Sequence, residues 1–460
     1  MTRVHFIGIG GSGLSAIARL LTESGYEVTG SDQALSPFAA DLQNIGVQIY
    51  VGHHPRNVSG AEVVIRSSAI KDDNPEVEAA KRAGIPVYKR ADFLGQLMEK
   101  KTGIAIAGTH GKTTTTAMVA WILIALDRDP SFIAGGTLNN LQANARAGKG
   151  ETFVIEADEY DHMFLGLKPQ IEVVTNLEHD HPDCFPTFND MYAAFESFVN
   201  LLPPDGTLIA CAEDEGAVML INHARRSGLT VVSYSVQGEM TINSPQWVQA
   251  RTMKKNERGG FDFSVMTNMG SMTNAFNVSL QVPGEHNVRN ALAALSVAAV
   301  MGLPMQKAAE ALGHFTGTGR RFEIRGEPKG ILLVDDYAHH PTEIRATLAA
   351  ARARYPKRRI WAVWQPHTFS RTQTLLYDFS RAFSEADEVL VTEIYASREP
   401  EQDFSSAEVV GAMPHASARY SGSLAETSKY LLEHLRFNDV VIVLSAGDAD
   451  QITADLLKDL

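Results

Sequence analysis

Apolar positions along this chain recur in two alternating rhythms. Short runs such as Val4-His5-Phe6-Ile7 and residues 27–30, 47–51, 62–67 and 85–89 read as strands. Between them, Leu14, Ile17, Ala18 and Leu21, and then residues 38–45, 75–83 and 91–99, carry apolar side chains at helical spacing. The rhythm resumes with strand patterns at 104–107, 130–135, 151–156, 171–175 and 206–211, and helical ones at 117–126, 187–202, 214–226 and 286–301. A last series places strands at 331–335, 359–364, 388–394 and 440–445 and helices at 341–354, 370–384, 423–434 and 449–459. Strands alternating with helices predict α/β units with parallel sheets. One stretch breaks the rhythm. Residues 238–282 are polar with period-two alternation, as in Phe261-Asp262-Phe263-Ser264-Val265, and predict an antiparallel β appendage. The reading is three α/β domains in a row, over residues 1–101, 102–317 and 318–460.

Composition narrows the class without changing this picture. In 460 residues, 44% are hydrophobic and 21% charged, which suits folded cores. The net charge of −13 and the lack of a basic run argue against a nucleic-acid partner. Cys184 and Cys211 are the only cysteines, too few for a disulfide framework. The first strand pattern begins at residue 4, leaving no room for a leader, and no apolar run reaches the roughly 18 residues of a membrane span. A cytoplasmic protein, without membrane or nucleic-acid partners, is expected.

Candidate chemistry lies where strand patterns end. The run Gly108-Thr109-His110-Gly111-Lys112-Thr113-Thr114 joins a strand to a helix, as a phosphate-binding loop does. Its glycines let backbone N–H groups turn toward an anion at the positive end of the helix. Lys112 reaches the β/γ-phosphates and Thr113 holds Mg²⁺ in such a loop. Ile106 stands where the usual pattern has its first glycine. Gly8-Ile9-Gly10-Gly11-Ser12-Gly13, with Asp32 nineteen residues beyond the third glycine of the motif, matches a dinucleotide fingerprint. On its own that motif fits a nicotinamide-dependent dehydrogenase equally well.

Two acid-rich strand ends follow, Glu156-Ala157-Asp158-Glu159-Tyr160-Asp161 and Asn176-Leu177-Glu178-His179-Asp180-His181. Hard cations take oxygen ligands and keep phosphates in their shell, so Thr113 and Glu156, with His181 adding a nitrogen, form the candidate Mg²⁺ set. His179 and His181 lack the further ligands of a zinc site. Asn287 and Asn290 share a helix face after His286, and their amides suit an adenine edge or simply a helix start. Arg320 and Arg321, the run Asp335-Asp336-Tyr337-Ala338-His339-His340-Pro341, and Gln365-Pro366-His367-Thr368-Phe369-Ser370-Arg371 end the series. Arginine grips carboxylates and phosphates bidentately.

Taken together, GTHGKTTT, EADE, GEHNxxN, GxGRRFE, DDYxHHP and QPHTFSRT, in this order, resemble the Mur ligase family over nearly the whole chain. The stretches GIGGSGLS, Gly52-His53, Ser67-Ser68-Ala69-Ile70 and Glu393-Ile394-Tyr395 are similar to the members that add L-alanine, with murein tripeptide recycling ligases the near relatives. Tyr160 and Ala338 stand where the alanine-adding members often have Ser and Gly. The resemblance implies a Rossmann-like UDP-sugar domain, a central P-loop ATPase-type domain and a C-terminal Rossmann-like amino-acid domain. It implies ATP and Mg²⁺, with UDP-N-acetylmuramate and L-alanine as substrates joined through an acyl phosphate, in a monomer or weak homodimer. By the same resemblance Gly8, Gly10, Gly11, Ser12 and Gly13 face a pyrophosphate and Asp32 the uridine end, and His53, Ser67 and Glu159 complete the substrate set. His286, Asn287 and Asn290 flank adenine, while Arg321 and Asp335 close the nucleotide site. His339, His340, His367 and Arg371 place the amino acid, one of the histidines taking its proton.

Overall fold

The first strand, Arg3–Ile7, is buried from Val4 onward because it lies in the middle of its sheet, where both faces are covered. The computed structural model describes residues 2–236, 245–269, 274–397 and 399–460. In the first sheet the strands lie in the order Gln48–Val51, Glu27–Asp32, Arg3–Ile7, Val63–Arg66 and Val87–Lys89, all parallel. The order reverses beside Arg3–Ile7. Loops from its carboxyl end and from its neighbours' ends therefore meet at a crevice, the usual ligand position in open α/β sheets.

Among the described residues the second sheet has ten strands and is built outward from Thr102–Ala107, which lies between Ile171–Val174 and Thr152–Glu156. The helices Lys112–Ala125 and Glu285–Val300 pack side by side against it. Both are apolar on nearly all sides, as helices enclosed by other elements must be.

The stretch at 238–282 differs from its expected form. Gln246–Lys255, Phe261–Thr267 and Asn274–Ser279 do pair antiparallel. They are not a separate appendage, however: Gln246–Lys255 joins Thr230–Ser235 in parallel and continues the central sheet. Residues 238–244 and 270–273, which belong to the same expected element, lie outside the described residues. Elements not legible as such are the helices Met305–Gly313 and Ser406–Gly411, the inner strand Thr230–Ser235, and three further strands, Ala143–Arg146, Glu323–Gly326 and Ala418–Gly422. These last three strands end their sheets and are half solvated, so no apolar run marks them. The expected helix at 370–384 divides into Phe369–Thr374 and Leu376–Ser380.

Among the described residues the third sheet has six strands in the order Glu323–Gly326, Leu332–Asp336, Asp439–Leu444, Arg359–Trp364, Glu388–Thr392 and Ala418–Gly422. Only the first of these pairs antiparallel. Its two faces carry separate apolar cores. By contrast, one core runs unbroken from the first sheet's inner face into the central unit, through Phe93, Leu94 and Met98. Among the described residues, no helix is long and apolar enough to cross a membrane.

Candidate active site

The strand Thr102–Ala107 ends in Gly108, whose φ of +130° is open to glycine alone. A Cβ there would lie 2.1 Å from Thr175 Oγ1. Gly111, at φ +83°, then starts the helix Lys112–Ala125. Ile106, at the position of the missing glycine, is fully buried in the strand, so the loop proper begins at Gly108. Asn176 clamps the turn: its side chain accepts from His110 N at 2.8 Å and its carbonyl from Thr109 N at 3.1 Å. Thr114 is buried one residue into the helix beyond Thr113.

Lys112 folds back over its own loop. Its Nζ donates to Gly108 O at 2.6 Å, Thr109 O at 3.2 Å and Glu159 Oε1 at 2.9 Å. Burial lowers the ammonium's pKa, but the Glu159 carboxylate outweighs burial and raises that pKa above the ordinary lysine value. Glu159 is itself buried, and its second oxygen has no hydrogen-bond partner among the described residues. Thr113 Oγ1 donates to Glu156 Oε1 at 3.0 Å, and Gly135 N donates to Glu156 Oε2 at 2.5 Å. Thr113 and Glu156 thus bring oxygen donors together at the helix's positive end, a set suited to a hard divalent cation. His181 approaches from another side, with Nε2 3.7 Å from Glu159 Oε1. No described contact joins it to Thr113 or Glu156.

These groups line a cleft of about 1330 Å³ between the central and C-terminal units. Its opposite wall holds Arg321, His339, His367 and Arg371. Arg371 is the hub of that wall. Its Nε donates to Asp180 Oδ1 at 2.8 Å, Nη1 reaches His367 Nδ1 at 3.1 Å and Nη2 reaches His181 Nδ1 at 3.2 Å. His339 donates from Nδ1 to Tyr337 O at 2.9 Å, leaving Nε2 as its lone-pair nitrogen. Burial, helped by Arg371 and His367 and opposed by Glu343, lowers the His339 pKa to about 3.

Four expected residues are corrected. Asp335 does not face the cleft. Strand alternation turns it, with Leu333, toward the helix Asp450–Asp459, where Thr453 Oγ1 donates to both its oxygens at 2.8 and 2.9 Å. Burial raises its pKa to about 7. Its neighbour Asp336 faces the other way, accepting from Phe322 N at 2.7 Å and Ala338 N at 2.8 Å. There, burial outweighs the nearby Arg321 and raises its pKa to about 6. His340 also lies off the cleft. It is the N-cap of Pro341–Arg354, accepts from Thr342 N at 3.3 Å, and packs its ring 4.6 Å from that of His110. Asn287 and Asn290 turn inward: Asn290 Nδ2 donates to Asn287 Oδ1 at 3.1 Å and Asn287 Nδ2 to Pro283 O at 2.6 Å. Asn290 Oδ1 sits under Gly111, so the pair braces the phosphate loop from behind. His286 lies in the first turn of the same helix, and its pKa falls to about 4 through burial and the nearby Arg289 and Arg321.

His110 sits between Glu178 at 3.4 Å and Glu343 at 3.3 Å. Burial works against its charge, but the two carboxylates prevail and raise its pKa to about 9. His110, Glu178 and His340 hold ligand-type atoms within 4.8 Å of one another. The ion pairs already occupy that junction.

The remaining predicted residues gather at the carboxyl edge of the first sheet. Gly8 through Gly11 link Arg3–Ile7 to the helix Ser12–Glu23, in whose first turn Gly13 lies. Asp32 accepts from Gly10 N at 2.7 Å and from Gln33 N at 2.7 Å. Its carboxylate therefore fastens the glycine loop. His53 follows the strand Gln48–Val51, and Ser67 follows Val63–Arg66, its N–H bonded to Ile7 O at 3.1 Å. Arg90 lies against Gly13 and pairs with Asp158 at 3.0 Å, tying this edge to the acid run of the central unit. Arg90 and Glu343 were not singled out from the sequence, and Asp336 was named there only as part of its run. Glu343 is the one with a readable signal, an acid in the first turn of a helix that follows DDYAHHP.

Family models match the chain in three consecutive parts. They are the Mur ligase family catalytic domain at residues 3–102, the Mur ligase middle domain at 106–298, and the Mur ligase glutamate ligase domain at 320–447. The UDP-N-acetylmuramate–L-alanine ligase of Nitratidesulfovibrio vulgaris is 43% identical over 453 residues, 98% of this chain and 97% of its own length. The crystal structure of the UDP-N-acetylmuramate–alanine ligase of Thermotoga maritima superposes with a TM-score of 0.81 at 30% identity, covering 100% of this chain and 99% of that one. A murein peptide ligase from Psychrobacter arcticus gives a TM-score of 0.73 at 27% identity, covering 100% and 98%. With three family models in succession and full-length relatives above 40% identity, this chain belongs to the Mur ligase family.

Proposed function

We propose that this protein joins L-alanine to the carboxylate of UDP-N-acetylmuramate, using ATP and releasing ADP and phosphate. The observation that carries the reading is the two-walled cleft. Lys112, Thr113 and Glu156 stand on one side and His339, His367 and Arg371 on the other. A carboxylate is a poor electrophile, and phosphorylation makes it reactive toward an amine. The Gly8–Gly13 loop, which alone would also suit a nicotinamide dinucleotide, takes the pyrophosphate of the nucleotide-sugar in this reading. The loop at Gly108–Thr113 cradles the phosphates of ATP. Lys112, released from Glu159, stabilises charge on the phosphoryl group in transfer.

Thr113 and Glu156 would hold Mg²⁺, which supplies charge neutralisation at the phosphates. Arg371 and His367 orient the amino acid, Arg371 through its carboxylate. His339 and His340, with pKa values of about 3 and 4, are too weakly basic to hold the amine's proton. His367 Nδ1 already faces Arg371. The departing phosphate is the base at hand. Held between the two walls, the acyl phosphate would be screened from water. A cytoplasmic location fits these substrates.

The test measures ADP and phosphate release with UDP-N-acetylmuramate, Mg²⁺ and a panel of L-alanine, L-serine, glycine and the murein tripeptide. Release with L-alanine well above the others is expected. Turnover that does not depend on an amino acid overturns the ligase reading. Preference for the tripeptide moves the protein to the recycling reaction. Lys112→Ala is expected to lower turnover at least a hundredfold while calorimetric binding of the nucleotide-sugar persists, since that ligand lies in another domain.

A further inference from the structure

Behind the carboxyl edge of the first sheet lies a buried carboxylate with no part in the chemistry above. Glu76, in the helix Pro75–Arg82, is fully buried. Every described group that reaches it is a donor. Asn57 Nδ2 at 2.5 Å and His54 N at 3.1 Å meet Oε1. Ser31 Oγ at 2.5 Å and His5 Nε2 at 3.4 Å meet Oε2. Those bonds outweigh the cost of burial and lower its pKa to about 2. An ionised carboxylate only accepts, so the single Ser31 proton is committed to Glu76. What remains on Ser31 Oγ is lone pairs, and one faces His53 Nδ1 at 3.1 Å. Glu76 Oε2 itself lies 3.6 Å from the same nitrogen. A proton on Nδ1 makes this contact a hydrogen bond; its absence would set lone pair against lone pair.

His53 is placed for recognition. It follows Gly52, whose N–H is tied to Asp32 O at 2.7 Å, so it stands beside the end of the strand that carries Asp32. Its side chain keeps 13% exposure, and its Nε2 has no partner among the described residues. We propose that Glu76, acting through the Ser31 hydroxyl, fixes the proton of His53 on Nδ1. His53 Nε2 is thereby presented at the sheet edge as an acceptor for an N–H or O–H donor on the nucleoside end of the nucleotide-sugar. The inference rests on the reading that this domain takes that ligand. Glu76 and Ser31 are positioning residues; His53 is the contact.

The test uses the full chain. Nitrogen-15 spectra of labelled histidine, with His53 assigned through His53→Gln, read the tautomer without any ligand. The expected pattern is a protonated Nδ1 and an unprotonated Nε2. In Ser31→Ala the preference moves toward Nε2–H, the form free imidazole side chains favour. In Glu76→Gln an amide N–H directed at Ser31 reverses the hydroxyl and gives the same shift. Calorimetry then compares UDP, its 3-methyluracil analogue and its 2′-deoxy analogue. Ser31→Ala is expected to weaken UDP roughly tenfold. One analogue should bind wild type and Ser31→Ala equally, which identifies the imide N–H or the ribose hydroxyl as the donor. A wild-type His53 protonated on Nε2 overturns the relay. So does a Ser31→Ala loss that is the same for UDP and both analogues. Failure of UDP to bind wild type would instead remove the reading of the domain and leave the tautomer result standing.

Discussion

Glu172 sits in the strand Ile171–Val174, fully buried, and neither carboxylate oxygen has a partner among the described residues. Burial drives its pKa well above 4.5, so it folds as the neutral acid. A pKa raised in the folded state gives a contribution that is complete below the unfolded value and lost as pH rises. At neutral pH Glu172 therefore opposes folding. Glu172→Met is expected to stabilise the protein by about 1–3 kcal/mol at pH 7.5, read from the urea midpoint at unchanged m. The gain should shrink toward pH 4.5; a loss of stability with Met would show that the acid has a hidden partner. Other single residues were legible to different degrees. Lys112 and Thr113 stand out because a phosphate loop is a contiguous motif. Asp335 and Asp336 do not, because adjacent strand residues face opposite ways and a pair of acids carries no mark of which faces in. The inward turn of Asn290 places it under Gly111, far off in sequence.

At the scale of elements, alternation made the parallel sheets readable, since central strands must be apolar on both faces. Edge strands lack that requirement, which is why Ala143–Arg146 and Ala418–Gly422 were missed. Contacts between elements leave less trace still. The helix Arg90–Met98 packs on the turn Tyr160–Gly166 through glycine on both sides. A Cβ on Gly95 would lie 2.2 Å from Gly166 O, and one on Gly166 would lie 2.7 Å from the Ala91 backbone. In an open helix position, glycine to alanine gains up to about 1 kcal/mol. Gly95→Ala is expected to reverse that sign and cost about 1–3 kcal/mol, because backbone must move. Gly411, with nothing within 4 Å of its added Cβ, is the control. Equal shifts in thermal midpoint for the two variants would refute the contact.

At the scale of the molecule, the N-terminal and central units share one apolar core, while the C-terminal unit keeps cores of its own. That unit is joined to the central one across the cleft by polar bonds: Arg371 to Asp180, His110 to Glu343, and Thr342 Oγ1 to Glu178 at 2.8 Å. It is therefore the body expected to move when these bonds are broken. Arg371 and Asp180 each keep only 4% side-chain exposure, so removing one partner strands the other at a cost of about 3–5 kcal/mol. Arg371→Met is expected to open the molecule, seen as a larger radius of gyration in solution scattering, and to abolish turnover. Pairing it with Asp180→Leu removes the stranded charge and should restore the closed radius. Turnover should stay absent, because Arg371 also lines the cleft. His110 adds a pH dependence with a defined sign. With its pKa raised to about 9, its contribution to closure is complete below pH 6.5 and disappears as pH passes 9. Scattering should thus show wild type opening between pH 8 and 10, and His110→Gln showing no such step. A radius that is the same for wild type and Arg371→Met at every pH would mean that packing, not these ion pairs, closes the cleft.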